Sequence, residues 1–326
     1  MSDNLNLKKL LLLGAGQMAM DYAKVLKCLG VDFTVIGKSI EGIENFYKQV
    51  GINAIPHGLS NWKQKGANRA RFGIIAVSCD ALANTAIELM DNGVRKILLE
   101  KPAGLTAQQI KRVCVHAKKT ESTIYIAYNR RFYASVKEAQ KLIKKDGGVK
   151  SFNFEFTEWC DQIEKKLKNS ITGENWFLAN SSHVVDLAFF LGGEPKEFSS
   201  YTSGGNDWHP TATIFSGAGI THSGALFSYR ANWDAPGRWG VEILTSKHKY
   251  IFCPLEKLQM LKHNTISVEP VIIDDQVDVE FKPGLYQQTK SFLQEDSNAP
   301  LLDIHKHHES VTTFYEKIIR PYGFRG

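Results

Sequence analysis

The chain has 326 residues, 43% apolar and 23% charged, a composition that excludes a disordered protein and a length that predicts two domains. Its net charge of +6 is spread along the sequence, as in Lys141-Leu142-Ile143-Lys144-Lys145, with no aromatic-interleaved basic stripe; this argues against nucleic-acid binding and suits an anionic small-molecule ligand. No apolar run approaches the ~20 residues of a bilayer span, residues 1–8 are polar, and the five cysteines form no C-x-x-C or metal spacing, so a cytoplasmic protein is expected.

In chain order, the four leucines 10–13 read as a strand buried on both faces, followed by a helix over 18–29. A second strand covers 32–36 and a third 72–77. A helix over 81–92 stops at Gly93, and the strand 97–99 runs into Glu100-Lys101-Pro102. Thr106 is the expected N-cap of a helix over 106–119, and 123–128 is a further strand. Strand and helix thus alternate over 1–126, which predicts a doubly wound parallel sheet.

Beyond residue 128 the pattern changes. A helix over 134–145 breaks at Gly147-Gly148, residues 149–159 alternate as a half-buried strand, and 180–191 read as a helix. Further strands are expected near 225–229, 239–244 and 277–281, with closing helices over 285–295 and 305–319. Several strands with few crossover helices predict an α+β domain over 127–326, its open sheet mostly antiparallel.

The chemistry is concentrated at strand ends. In Gly14-Ala15-Gly16-Gln17-Met18-Ala19, Gly14 permits a tight turn, Gly16 admits a pyrophosphate, and Ala19 allows close helix–strand packing. Gln17 and Met18 open the helix whose N–H groups face the phosphates. After the second strand a site selective for NAD would carry an acid, whereas this chain has Lys38 and Ser39, which suit the 2′-phosphate of NADP(H). Ser78 lies at the turn after the third strand and is a further cofactor contact. Glu100 and Lys101 end the strand at the ligand-binding edge of such a sheet; the alternative is a solvated ion pair in a turn.

Lys101 suits hydrogen bonding to a reacting oxygen, and His183 suits proton transfer near neutral pH, unless it is an interior helix histidine. Asp186 lies one helical turn on and either bonds the imidazole or serves the fold. Tyr128 and Asn129 follow a strand and are expected to line the nicotinamide pocket. Arg130 and Arg131 are either an anion site or a solvated linker pair. Trp208-His209-Pro210 and 235–239 read as loops; Trp239 and Tyr286 either pack or border the substrate pocket, with packing favoured for each. His305, His308 and Glu309 share helix faces, but no further metal ligands are marked, and no metal is expected.

Gly14-Ala15-Gly16-Gln17-Met18-Ala19, Glu100-Lys101-Pro102, Ala127-Tyr128-Asn129-Arg130-Arg131-Phe132, His183-Val184-Val185-Asp186 and Pro283-Gly284-Leu285-Tyr286-Gln287-Gln288 occur in that order. Over essentially its whole length the chain resembles the Gfo/Idh/MocA family of nicotinamide-dependent oxidoreductases. The resemblance implies an N-terminal Rossmann domain, a C-terminal α+β domain whose sheet joins homo-dimers or homo-tetramers, and a cis bond at Lys101–Pro102. It makes Lys101 and His183 catalytic, assigns Asn129 to the cofactor, and assigns Tyr128, Asn180, Asp186 and Tyr286 to the substrate. One departure stands out: where alcohol-oxidising members carry an aspartate four residues before the histidine, this chain has Ala179.

The reading is an oxidoreductase moving hydride between NADP(H) and a hydroxyl or keto carbon of a sugar, sugar derivative or similar small molecule. Two alternatives remain: an enzyme that uses tightly bound cofactor without net redox, in the manner of NAD-dependent glycosidases, and an NADPH-binding regulatory protein with a decayed active site, which Ala179 favours.

Overall fold

The computed structural model describes residues 9–64, 70–167, 170–209 and 211–320. Two compact units form: Met1–Asn129 with Val277–His308, and Arg130–Gln276 with Glu309–Gly326. The sequence division at residue 126 thus differs from these units chiefly over 277–308, which the first unit takes back.

The chain opens with β1 (Leu10–Leu13), α1 (Gln17–Cys28), β2 (Phe33–Ile36), α2 (Ile40–Val50), β3 (Ala54–Ile55), α3 (Gly58–Gln64), β4 (Phe72–Ile75), α4 (Leu82–Asp91), β5 (Lys96–Leu99), α5 (Ala107–Lys119) and β6 (Thr123–Ile126). Next come α6 (Ala134–Lys145), β7 (Ser151–Glu155), α7 (Cys160–Leu167), α8 (Ile171–Glu174), α9 (Ser182–Gly192), β8 (Pro195–Ser203), β9 (Ile214–Thr221), β10 (Leu226–Asn232), β11 (Gly240–Leu244), β12 (His248–Phe252), β13 (Gln259–Lys262) and β14 (Val268–Pro270). The last elements are α10 (Gln276–Glu280), α11 (Leu285–Gln294), β15 (Leu302–Asp303), α12 (Ile304–Ser310) and α13 (Glu316–Ile319).

The first unit holds a seven-stranded sheet of order β15-β6-β5-β4-β1-β2-β3. It is parallel except for β15, which pairs antiparallel with β6. All four leucines of β1 are buried, as a sheet covered on both faces requires. The order reverses between β1 and β4, so the ends of β2, β1, β4 and β5 lie side by side at one edge, about 4.8 Å apart. Residues 277–308 belong here because α11 packs on the α1 core through Leu285, Phe292 and Leu293, with Phe292 meeting Phe72 edge-on at 5.6 Å.

The second unit holds an eight-stranded sheet, β14-β13-β12-β11-β7-β10-β9-β8, antiparallel except for the β7–β10 pair. Phe152, Phe154 and Phe156 face inward from β7 and its extension. Phe152 and Phe154 meet Phe189 of α9 edge-on at 5.7 and 5.5 Å. A side chain on Gly192 would strike the Phe152 ring at 2.4 Å, so this close approach of helix to sheet needs glycine. At one end of the sheet Asp146 is buried and accepts hydrogen bonds from Thr245 Oγ1 (2.9 Å), His248 Nδ1 (2.8 Å) and the Tyr250 hydroxyl (2.7 Å).

The expected strand at 277–281 is instead the helix α10, none of whose residues is buried. Its Val-Asp-Val-Glu-Phe alternation is not that of a strand, since Val279 is exposed while Val277 and Phe281, one helical turn apart, are partly buried, and Asp278 Oδ1 accepts from Gly284 N at 2.8 Å just before α11. The expected helix over 305–319 is interrupted by a π-helical turn, Val311–Tyr315. No helix among the described residues is long and apolar enough to cross a membrane.

Candidate active site

In the first unit the glycine turn closes against β4. Gly14 has φ +122°, and a side chain there would lie 2.2 Å from the Ala76 carbonyl oxygen, so the turn demands glycine. Gly16 differs: its φ of −86° suits any residue, and a Cβ would meet nothing within 4 Å. It is the N-cap of α1, with no side-chain cap and no acid in the first turn. The leading N–H groups of a twelve-residue helix thus face open space that only a glycine leaves clear. Those residues fit the pyrophosphate of a dinucleotide.

Around this turn, Gln17 is exposed and donates to Asp21 Oδ1 at 2.9 Å, while Met18 is half-buried with the Lys282 ammonium 3.0 Å from its sulfur. Lys38 and Ser39 are exposed after β2, where Ser39 caps α2 by accepting from Gly42 N at 3.2 Å. Ser78 is exposed in the β4–α4 turn. Next to it, burial raises the Cys79 thiol pKa, the Lys101 charge being the strongest opposing influence. Glu100 accepts from the Tyr22 hydroxyl of α1 at 2.8 Å. Burial raises its carboxyl pKa, against that hydrogen bond and the charges of Lys101 and Lys282.

Lys101 is partly buried, its bond to Pro102 is cis, and Ala103 follows at φ +69°. Behind this corner lies a residue that sequence reading passed over. His307 is fully buried, and its Nε2 is 3.0 Å from the Pro102 carbonyl, which accepts from it. Tyr128 is buried edge-on against the same imidazole at 5.5 Å. Asn129 donates through Nδ2 to the Pro283 carbonyl at 2.9 Å. With its amide oxygen turned toward them, the buried Gln288 accepts from the backbone of Tyr128 and Asn129 at 3.3 Å each. Tyr286 packs against Phe281 at 5.2 Å, at the edge of the α1 core. Tyr128 and Tyr286 are therefore placed by packing contacts.

In the second unit a π-helical turn, Phe177–Ser181, leads into α9 and His183. Such turns re-aim side chains and are frequent at functional sites. His183 is 7% exposed, with its ring 6.3 Å from that of Trp239. Ala179 lies in the turn and brings no carboxylate, but Glu158 does. It is 2% exposed and accepts from Ser181 Oγ at 2.7 Å and from Asn180 Nδ2 at 3.0 and 3.1 Å. Burial raises its pKa, against those bonds and the Arg238 charge. Asn180, expected to meet substrate, thus holds Glu158.

The two arginines after Asn129 are not a solvated pair. Arg131 donates from Nε and Nη2 to the two oxygens of buried Asp186, at 2.8 and 2.7 Å, and lies over Phe190. Asp186 therefore anchors Arg131, in keeping with the structural alternative for this residue. Arg130 lies over Trp239 at 4.9 Å. Trp208 and His209 pack with Trp233, while Pro210 lies outside the described residues. Among the described residues no group of three or more His, Cys, Asp or Glu side chains gathers as a metal site.

No protein-family model matches the chain, and no curated protein sequence matches it. Solved structures do. An oxidoreductase from Agrobacterium radiobacter, in complex with NAD+, L-tartaric acid and magnesium, aligns over 96% of both chains at 13% identity and a TM-score of 0.74. The WlbA dehydrogenase from Bordetella pertussis, in complex with NADH and UDP-GlcNAcA, aligns over 96% of this chain and 95% of its own, at 16% and 0.73. A levoglucosan dehydrogenase, in complex with NADH and L-sorbose, aligns over 92% and 93%, at 17% and 0.73. Such likeness extends through both units, and the chain shares the fold of these oxidoreductases and dehydrogenases.

Proposed function

We propose that the protein is an oxidoreductase that moves hydride between NADP(H) and a hydroxyl or keto carbon of a sugar or sugar derivative. One observation carries the reading: the clear space at Gly16 before the uncapped N-terminus of α1, on the sheet edge that also bears Lys101. Lys38 and the exposed Ser39 support NADP(H) over NAD(H), because a cation and a hydroxyl favour a 2′-phosphate.

When bound, the nicotinamide accepts or returns the hydride. Lys101 donates a hydrogen bond to the reacting oxygen and stabilises its alkoxide character. His183 takes the hydroxyl proton during oxidation and returns it during reduction. The Tyr22–Glu100 and His307–Pro102 hydrogen bonds fix the backbone on either side of Lys101. Ala179 favours a decayed sensor, but the carboxylate of Glu158, bonded to both Asn180 and Ser181, keeps an acid beside this turn. Tyr201, Ile214 and Leu226, exposed on the second sheet, support its use between copies in a cytoplasmic homo-dimer or homo-tetramer.

Isothermal titration with NADPH and NADH tests the cofactor assignment. Tighter NADPH binding is expected. Binding of neither removes the proposal, and tighter NADH binding removes the NADP preference.

A further inference from the structure

Arg238 is held as few surface arginines are. Its guanidinium carbon lies 4.7 Å from the ring centroid of Trp159 and 4.8 Å from that of Trp239. Both indoles are fixed in turn. Trp159 Nε1 donates to the Gly237 carbonyl at 3.0 Å, and Trp239 is 6% exposed. Gly237 shapes the loop: a Cβ there would lie 2.5 Å from Glu155 Oε1 and 2.9 Å from Thr157, so a larger residue would have to displace these side chains at the end of β7.

The Arg238 side chain nevertheless remains 48% exposed. Glu158, its ion-pair partner, stands at 3.9 Å, beyond hydrogen-bond distance, with its oxygens committed to Ser181 and Asn180. Arg130, over the same Trp239 ring, has an Nε with no hydrogen-bond partner. Two guanidinium groups thus meet one indole, and that indole neighbours the His183 ring at 6.3 Å. A planar cation held between aromatic faces has already lost its rotamer freedom, and its fork of donors matches a carboxylate or phosphate.

We propose that the substrate carries an anionic group, a carboxylate or a phosphate, bound by Arg238 between Trp159 and Trp239. This rests on the oxidoreductase reading only in placing the reacting carbon near His183. The clamp selects sugar acids or phosphorylated sugars over neutral ones.

The test is calorimetric titration of the full chain with D-glucuronate, D-glucose 6-phosphate and D-glucose, with and without saturating NADPH. In the reduced complex no hydroxyl probe can be oxidised, so binding is read alone. At least one anion should bind roughly tenfold or more tighter than glucose, the usual worth of a hydrogen bond to a charged group. Whichever anion binds identifies carboxylate or phosphate as the group read. Arg238→Ala should remove the preference. Arg238→Lys, which keeps the charge without the flat fork, should restore part of it, and Trp159→Ala should weaken it with the arginine intact. Anions binding no tighter than glucose overturn the clamp, as does equal weakening of all three probes in Arg238→Ala with an unchanged melting temperature. If anions bind through Arg238 but no sugar gives cofactor-linked turnover, the oxidoreductase reading falls and the clamp stands. Oxidation of glucose without anion binding gives the reverse.

Discussion

Gly14 and Gly16 are two residues apart, yet alanine should do opposite things at them. Gly14→Ala places a methyl 2.2 Å from the Ala76 carbonyl oxygen at φ +122°. Positive φ costs a side chain about 1–2 kcal/mol before the clash with a strand backbone is added, so a loss of several kcal/mol, or failure to fold, is expected. Gly16→Ala has φ −86° and an empty neighbourhood. Its weaker N-cap costs roughly 0.5–1 kcal/mol, offset by about 0.4–1 kcal/mol from a less flexible unfolded chain. The melting temperature should stay within about 4 °C of the parent. The same methyl occupies the approach to the α1 N–H groups. Losing two charge-assisted hydrogen bonds to a pyrophosphate amounts to roughly 3 kcal/mol, or about two decades in Kd. Thermal melts paired with NADPH titration separate stability from binding. A stable Gly16→Ala protein that binds NADPH as tightly as the parent would refute the placement of the cofactor.

Lys38→Asp should weaken NADPH about 10–100-fold by repelling the 2′-phosphate while sparing NADH, and parallel titrations read the ratio. Lys101→Ala should lower turnover about 10²–10⁴-fold with little change in NADPH affinity, and His183→Ala should lower it less; full activity in Lys101→Ala rejects its role. Asp186→Ala takes the two-pronged carboxylate contact from Arg131, whose side chain is 14% exposed, and should cost about 3 kcal/mol in denaturant unfolding. Burial pushes the Asp146 carboxyl up, but hydrogen bonds from His248, Tyr250 and Thr245 outweigh it and hold its pKa below the ordinary value. That stability is present above the ordinary aspartate range and lost as pH falls through the lowered pKa. Asp146→Asn should therefore be less stable by about 1–3 kcal/mol at neutral pH, with the gap closing below about pH 4.

The first unit was legible because Gly14, Lys38 and Lys101 each lie just past a short strand-like run rich in apolar residues. The return of residues 277–308 was not legible, since only tertiary packing brings Leu285 and Phe292 onto α1. β8 and β9, rich in serine and glycine, lack the apolar alternation that reveals β7. Glu158 was within reach. It continues the inward series Phe152, Phe154, Phe156, so the same alternation puts a carboxylate on a buried face. His307 was likewise marked by the spacing of Ile304, Val311 and Phe314, whereas His305 and His308 point off that face. Arg238 carried no such signal, because its neighbours Trp159 and Trp239 come together only through the fold.

Hydride transfer is read without an intermediary by cofactor-linked turnover. The purified protein is assayed for oxidation of NADPH by keto sugars, and for reduction of NADP+ by neutral sugars, sugar acids, sugar phosphates and nucleotide sugars, following nicotinamide absorbance. A sustained change is expected with at least one substrate, abolished or slowed at least about a hundredfold in Lys101→Ala. Tight NADPH binding with no absorbance change across the panel, or product formed without net change in the cofactor, would contradict this expectation.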